Sequence, residues 1–76
     1  MIDDLFHLAQ QEGPIAERAR VALQMTELFN KGEIDGSEYQ ELMRDLTRLD
    51  EVADNATSIE HKTMLVTAIY AVAQLA

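Results

Sequence analysis

The sequence predicts an all-α protein, a small bundle of three to four helices in a single domain over residues 1–76. Apolar residues recur at helical rather than alternating spacing, and the only proline stands where a helix can begin. The last fourteen residues carry no charge, although the chain has 14 Asp and Glu against 6 Lys and Arg. We therefore expect an apolar, central C-terminal helix. The predicted helices cover about 3–11, 14–31, 36–55 and 58–75.

Gly13 and Pro14 indicate the end of the first helix and the start of the second. Gly13 can turn the chain, and Pro14 lacks an amide hydrogen that the first residue of a helix does not need. Asp3 or Asp4 can cap the first helix. The second helix should end at Gly32, a residue suited to the left-handed conformation that follows many helices. Its predicted buried stripe is Ile15, Ala19, Ala22, Met25 and Phe29.

The third helix has the clearest start signal. Asp35 is a good N-cap, and Glu38 follows at the spacing of a capping box. Ile34 and Tyr39 lie at the two positions of a hydrophobic staple. An apolar seam then predicts a helix that continues to about residue 55. The seam consists of Tyr39, Leu42, Leu46, Leu49, Val52 or Ala53, and Ala56.

The fourth helix is predicted to begin at a second capping box, from Thr57 to Glu60. Because its uncharged part is apolar on more than one face, we expect one face in the core and a second face against another subunit. The rings of Tyr39 and Tyr70 are expected to be buried. The predicted self-association residues are Leu65, Ile69, Val72 and Leu75.

The second and third helices are joined by a turn that contains Gly32, Ile34 and Asp35, followed by Glu38 and Tyr39. These residues resemble the turn of SHOCT, a short C-terminal helical-hairpin domain, in which Gly-x-Ile precedes a capping residue and a Glu-Phe or Glu-Tyr pair. The resemblance covers residues 27–46 and implies a helical hairpin that takes part in oligomer assembly, with no catalytic residue. In that family the hairpin stands at the end of the chain, whereas thirty residues follow it here.

No set of residues predicts catalysis or a metal site. Asp3 and His7 lie one helical turn apart, but two ligands without a third are insufficient to hold a metal ion. The run from Asp35 to Ser37 is explained by helix capping rather than by a calcium loop, in which Tyr39 would occupy a ligand position. The carboxylate pairs lack a pocket that could separate two pKa values. We expect no cofactor, no metal ion and no enzymatic activity.

Charge and length also limit the partners. A net charge of −8 disfavours direct nucleic-acid binding, because phosphates would be repelled. Fourteen residues of helix rise only about 21 Å, so we expect no membrane span across a hydrocarbon core of about 30 Å. There are no cysteines for disulfides, and no basic segment followed by a long apolar run indicates a signal peptide. A cytoplasmic location is therefore predicted.

Two functions follow as hypotheses. The first is a non-enzymatic helical adaptor or assembly protein, which acts through protein–protein contacts and forms a homo-oligomer through its C-terminal helix. The alternative is a small acidic inhibitor or antitoxin-like protein, of the DNA-mimic or immunity type, which binds a basic protein surface. Small acidic helical proteins are frequent among phage and mobile-element products, an origin that no residue here specifies. The predicted acidic face is Glu38, Glu41, Asp45 and Glu51.

Overall fold

The computed structural model describes residues 2–48 and 59–74. Within this part of the chain there are four helices and no strand, so the all-α bundle predicted from the sequence is confirmed. The helices are α1 (Ile2–Ala9), α2 (Pro14–Asn30), α3 (Gly36–Asp45) and α4 (Ile59–Ala73). Several positions of the sequence predictions lie outside the described residues, namely Leu49, Val52, Ala53, Ala56 and Thr57.

A single apolar core lies between the four helices of the described chain. α2 contacts α1, α3 and α4, and α4 likewise contacts the other three helices. The side of α2 that faces the core is rich in alanine, whose small side chain lets neighbouring helices approach closely. Larger side chains from the neighbours fill the space. The buried residues of this core are Leu5, Leu8, Ile15, Ala16, Ala19, Ala22, Tyr39, Met43, Leu65, Ala68, Ile69 and Val72.

α1 differs from the prediction at both ends. Asp3 and Asp4 lie inside its first turn and so do not cap it, although their charge suits the positive end of the helix dipole. The helix ends at Ala9, two residues early. There Arg20 of α2 donates from Nε to the Ala9 carbonyl at 3.0 Å and from a terminal nitrogen to the Gln11 carbonyl at 2.9 Å. Arg20 therefore satisfies carbonyl groups that the end of a helix leaves unpaired.

The turn between α2 and α3 confirms the predicted end of the second helix and the predicted start of the third. Gly32 has φ +75°, and its amide bonds to the Phe29 carbonyl at 3.0 Å. The amide of Glu33 bonds to the Leu28 carbonyl at 2.9 Å, which completes a Schellman motif. Asp35 then caps α3, since its Oδ1 accepts a 2.7 Å hydrogen bond from the Glu38 amide. The chain therefore reverses its direction through two local features, the left-handed glycine and the N-cap, both of which the sequence predicts.

α3 ends at Asp45, so the prediction of a continuous helix over 36–55 is wrong. The Thr47 amide bonds to the carbonyl of Arg44, three residues earlier, at 3.0 Å, which tightens the last turn. The Thr47 hydroxyl donates to the same carbonyl at 2.7 Å. The amide of Arg48 likewise bonds to the Asp45 carbonyl, so the backbone bonds of Thr47 and Arg48 reach back three residues instead of four and the α-helix ends.

α2 and α3 form the expected antiparallel hairpin. Near the turn, Tyr39 stacks on Phe29, with ring centroids 4.7 Å apart and 8° between the ring planes. At the far end, the Arg18 guanidinium, near the start of α2, donates to the Leu46 carbonyl at 3.1 Å. The hairpin is therefore held at both ends, and Arg18 acts at the end of α3 as Arg20 does at the end of α1.

Candidate protein-interaction surfaces

The predicted acidic face lies on the side of α3 that points away from the core. Glu38, Glu41 and Asp45 are all exposed, whereas Tyr39 and Met43 on the opposite side are buried. Steps of three and four residues place the three acids on one stripe of the helix. Asp45 also pairs with Arg48 at 3.6 Å, and both side chains are more than half exposed. The fourth predicted member, Glu51, lies outside the described residues.

The structure buries the described residues that were predicted to self-associate. Leu65, Ile69 and Val72 are 0, 1 and 2% exposed, because they form the face of α4 that meets the other helices. They cannot contact a second subunit while this bundle is intact, so their assignment as a subunit contact is corrected to core. Leu75 lies outside the described residues.

A different side of α4 is open to solvent. Ile59 is 79% exposed and Tyr70 is 49% exposed, so the expected burial of the Tyr70 ring is wrong. Thr63 between them is also exposed, and Val66 and Ala73 are partly buried. The steps of four, three, four and three residues give one stripe along the helix. We call Ile59, Thr63, Val66, Tyr70 and Ala73 the outer face of α4; it carries no charged side chain.

A shallow groove borders the outer face where α4 meets α3. It encloses about 200 Å³. Tyr70 and Ala73 line it from α4, and Gln40 and Arg44 line it from α3. The end of the outer face near Ala73 is therefore a hollow, whereas the end at Ile59 is a projecting side chain.

A second groove, which we call the Phe6 groove, lies between α1 and α2. It encloses about 500 Å³, and Phe6, which is 52% exposed, stands on its α1 side. Leu23 adds apolar surface from α2. Glu27 and Lys31 form an exposed ion pair of 3.0 Å and also line the groove. The result is an apolar hollow with a charged rim, a form typical of a protein contact.

The geometry offers no assembled reaction centre in the described residues. No group of three or more His, Asp and Glu side chains in residues 2–48 and 59–74 could hold a metal ion. Asp3 and His7 are both exposed on α1, and His61 is exposed near the start of α4. In the same part of the chain, every buried side-chain nitrogen and oxygen has a hydrogen-bond partner. None of the described helices is long and apolar enough to cross a membrane.

Comparisons with known proteins give no relative for this chain. No family of known proteins, no curated protein and no solved structure matches it. The resemblance of residues 27–46 to SHOCT stays a prediction.

Sequence reasoning missed the exposed apolar residues that define these surfaces. On α1, Leu5 and Leu8 are buried, whereas Phe6 between them is 52% exposed. Leu42 was placed in the α3 seam, yet it is 39% exposed because Tyr39 and Met43 face the core. The only signal was the surplus of apolar positions over what one stripe of each helix can bury.

Proposed function

We propose that this chain is a non-enzymatic helical adaptor or assembly protein that acts through protein–protein contacts. The observation that carries the proposal is the presence of two separate apolar surfaces on one small bundle. The Phe6 groove lies between α1 and α2, and the outer face of α4 borders α3. Aromatic residues are enriched at protein contacts, and Phe6 and Tyr70 are each about half exposed beside a groove.

Two surfaces on different helices suit an adaptor because each can be occupied while the other is in use. The resemblance to SHOCT, a hairpin associated with assembly, supports the same reading. Self-association belongs to this proposal, together with a cytoplasmic location, with which the lack of cysteine is compatible. Neither nucleic acid nor a membrane is a proposed partner.

The acidic face of α3 favours a second candidate, an acidic inhibitor or antitoxin-like protein. Glu38, Glu41 and Asp45 form an exposed acidic stripe with Leu42 partly exposed beside it. The complementary partner is a protein with a basic surface. Contacts between opposite charges weaken when salt is added, because the charges are then screened within a few ångströms.

Affinity capture with matched variants tests both candidates. The wild-type chain, Phe6→Glu, Tyr70→Glu and the triple variant Glu38→Lys/Glu41→Lys/Asp45→Lys are immobilised and exposed to the same protein mixture. A partner lost with Phe6→Glu or Tyr70→Glu but kept by the triple variant supports the adaptor. A partner lost only with the triple variant, and released by about 0.5 M salt, supports the acidic inhibitor.

The adaptor proposal fails if neither apolar substitution removes any bound protein and the chain does not associate with itself. Circular dichroism spectra and melting curves are recorded for each variant. All five substituted side chains are exposed, so the helical content should stay that of the wild type.

A further inference from the structure

We propose that the outer face of α4 is a homodimer interface, in which two copies of α4 lie antiparallel about a two-fold axis at Val66. This inference rests on the proposed assembly function and names the partner of one of its two surfaces, a second copy of this chain. Three properties of the outer face indicate that its partner is a second copy of this chain: the charge, the shape and the area of the face.

The charge of the face suits contact with itself. In a two-fold dimer the same patch meets its own copy, so any charged group near the axis faces a like charge. The chain carries a net charge of −8, and the acidic face of α3 would repel itself strongly. The five residues of the outer face of α4 are uncharged, and Lys62 of α4 and Arg44 of the groove, which lie beside it, are basic. Two acidic chains are therefore repelled less there than at the acidic face of α3.

The shape of the face is self-complementary when the helices run in opposite directions. Ile59 and Ala73 lie 14 residues apart, which is about 21 Å along a helix. Val66 lies midway between them. A two-fold axis there places the exposed Ile59 of each chain over the hollow beside the partner's Ala73, and places Tyr70 level with the partner's Lys62 and next to the partner's Thr63. Antiparallel helices also align their dipoles favourably.

The area of the face indicates a reversible dimer. A helix of 15 residues is about 22 Å long and about 10–12 Å wide. Two such helices bury on the order of 600–1,000 Å² in total, below the roughly 1,200–2,000 Å² of a stable complex. We therefore expect a reversible dimer, with monomer and dimer both populated between about 1 µM and about 1 mM.

Sedimentation equilibrium from about 1 µM to about 1 mM tests the dimer. The wild type should shift from monomer to dimer over this range. Tyr70→Glu should raise the dissociation constant at least about tenfold, because it buries a carboxylate in an apolar contact. Val21→Glu is the control, since Val21 is 37% exposed on α2 and lines neither groove. It should leave the dissociation constant unchanged. Phe6→Glu, in the other proposed surface, is measured beside it.

Cysteine crosslinking tests the antiparallel arrangement, because the chain has no cysteine of its own. Val66→Cys, at the axis, should form a disulfide dimer upon oxidation. In a mixture of Ile59→Cys and Ala73→Cys chains, one of which carries a size tag, the disulfide should join unlike chains. Two copies of the same substitution would be about 21 Å apart, too far for a disulfide.

Three results would overturn the inference. A monomer throughout the concentration range excludes the dimer, and like-with-like crosslinks at position 59 or 73 exclude the antiparallel arrangement. A dimer that survives Tyr70→Glu but is lost with Phe6→Glu places the contact in the Phe6 groove. If the chain is a monomer, the adaptor function still stands when a partner depends on the Phe6 groove. If the dimer depends on Phe6, the adaptor function stands as well. The two proposals therefore fail separately.

Discussion

The hydroxyl oxygens of Thr26 and Tyr39 lie 2.7 Å apart in the core and join α2 to α3. The Thr26 hydroxyl also donates to the Ala22 carbonyl at 2.9 Å, which uses its only hydrogen. Tyr39 is therefore the donor in the pair, and Thr26 the acceptor. Both residues are buried, with exposed fractions of 7% for Thr26 and 1% for Tyr39. Because of this direction, substitution of the acceptor and substitution of the donor should change the stability by different amounts.

Thr26→Val should destabilise the protein more than Tyr39→Phe does. The valine leaves the Tyr39 hydroxyl buried without an acceptor, which lowers the free energy of unfolding by about 1–3 kcal/mol. Tyr39→Phe removes the donor but leaves Thr26 bonded to Ala22, so the loss should be about 0.5–1.5 kcal/mol. Urea unfolding of both variants and of the double variant measures the difference. The double variant should lose less than the sum of the two, because the single variants remove the same hydrogen bond. Equal losses in the two single variants would contradict the assigned direction.

Arg20 should matter more to α1 than any other described arginine. α1 has eight residues, too few to be stable as an isolated helix, and Arg20 bonds to two carbonyls at its end. We expect Arg20→Met to lower the free energy of unfolding by about 1–2 kcal/mol and to speed hydrogen exchange at the α1 amides first. Arg48→Met is the control, because the Arg48 ion pair with Asp45 is exposed. Equal exchange in both variants would show that Arg20 does not hold α1.

Gly13 and Gly32 should respond differently to asparagine. A Cβ at either position meets nothing within 4 Å, so any effect comes from the backbone. Gly32, at φ +75°, lies in the left-handed region that asparagine tolerates, whereas Gly13, at φ 103° and ψ −174°, has a conformation almost confined to glycine. Gly32→Ala should lower the free energy of unfolding by about 1–2 kcal/mol, and Gly32→Asn should lower it clearly less. At Gly13, alanine and asparagine should each lower the free energy of unfolding by about 1–3 kcal/mol, as measured by thermal unfolding.

The parts of the fold that the sequence predicts well are those decided by neighbours in the chain. The turn from Gly32 to Asp35 is one case, because a left-handed glycine and a capping carboxylate act within a few residues. The end of α3 is the opposite case. There a carbonyl at Leu46 is satisfied by Arg18, 28 residues away, a contact that no periodicity reveals.

The same limit explains the interaction surfaces. Periodicity shows that α4 is apolar on more than one face, but it does not say which face meets the core. That choice depends on how α1, α2 and α3 pack, and the packing turns Leu65, Ile69 and Val72 inward. The acidic stripe of α3 was predictable, since charged side chains lie opposite a buried apolar side.

Ile69→Asp should unfold the protein, whereas Glu41→Lys should leave its fold intact. Ile69 is 1% exposed, so an aspartate there places an unpaired carboxylate in the core and removes apolar packing. The combined loss, about 4 kcal/mol or more, takes most of the stability of a domain this small. Val72→Asp should act in the same way, since Val72 is 2% exposed.

Glu41 is exposed on the acidic face, and its reversal relieves repulsion with Asp45 one turn away. Circular dichroism at increasing temperature measures both effects, and cooperative melting of Ile69→Asp at the wild-type temperature would show that the inward face of α4 is not the core.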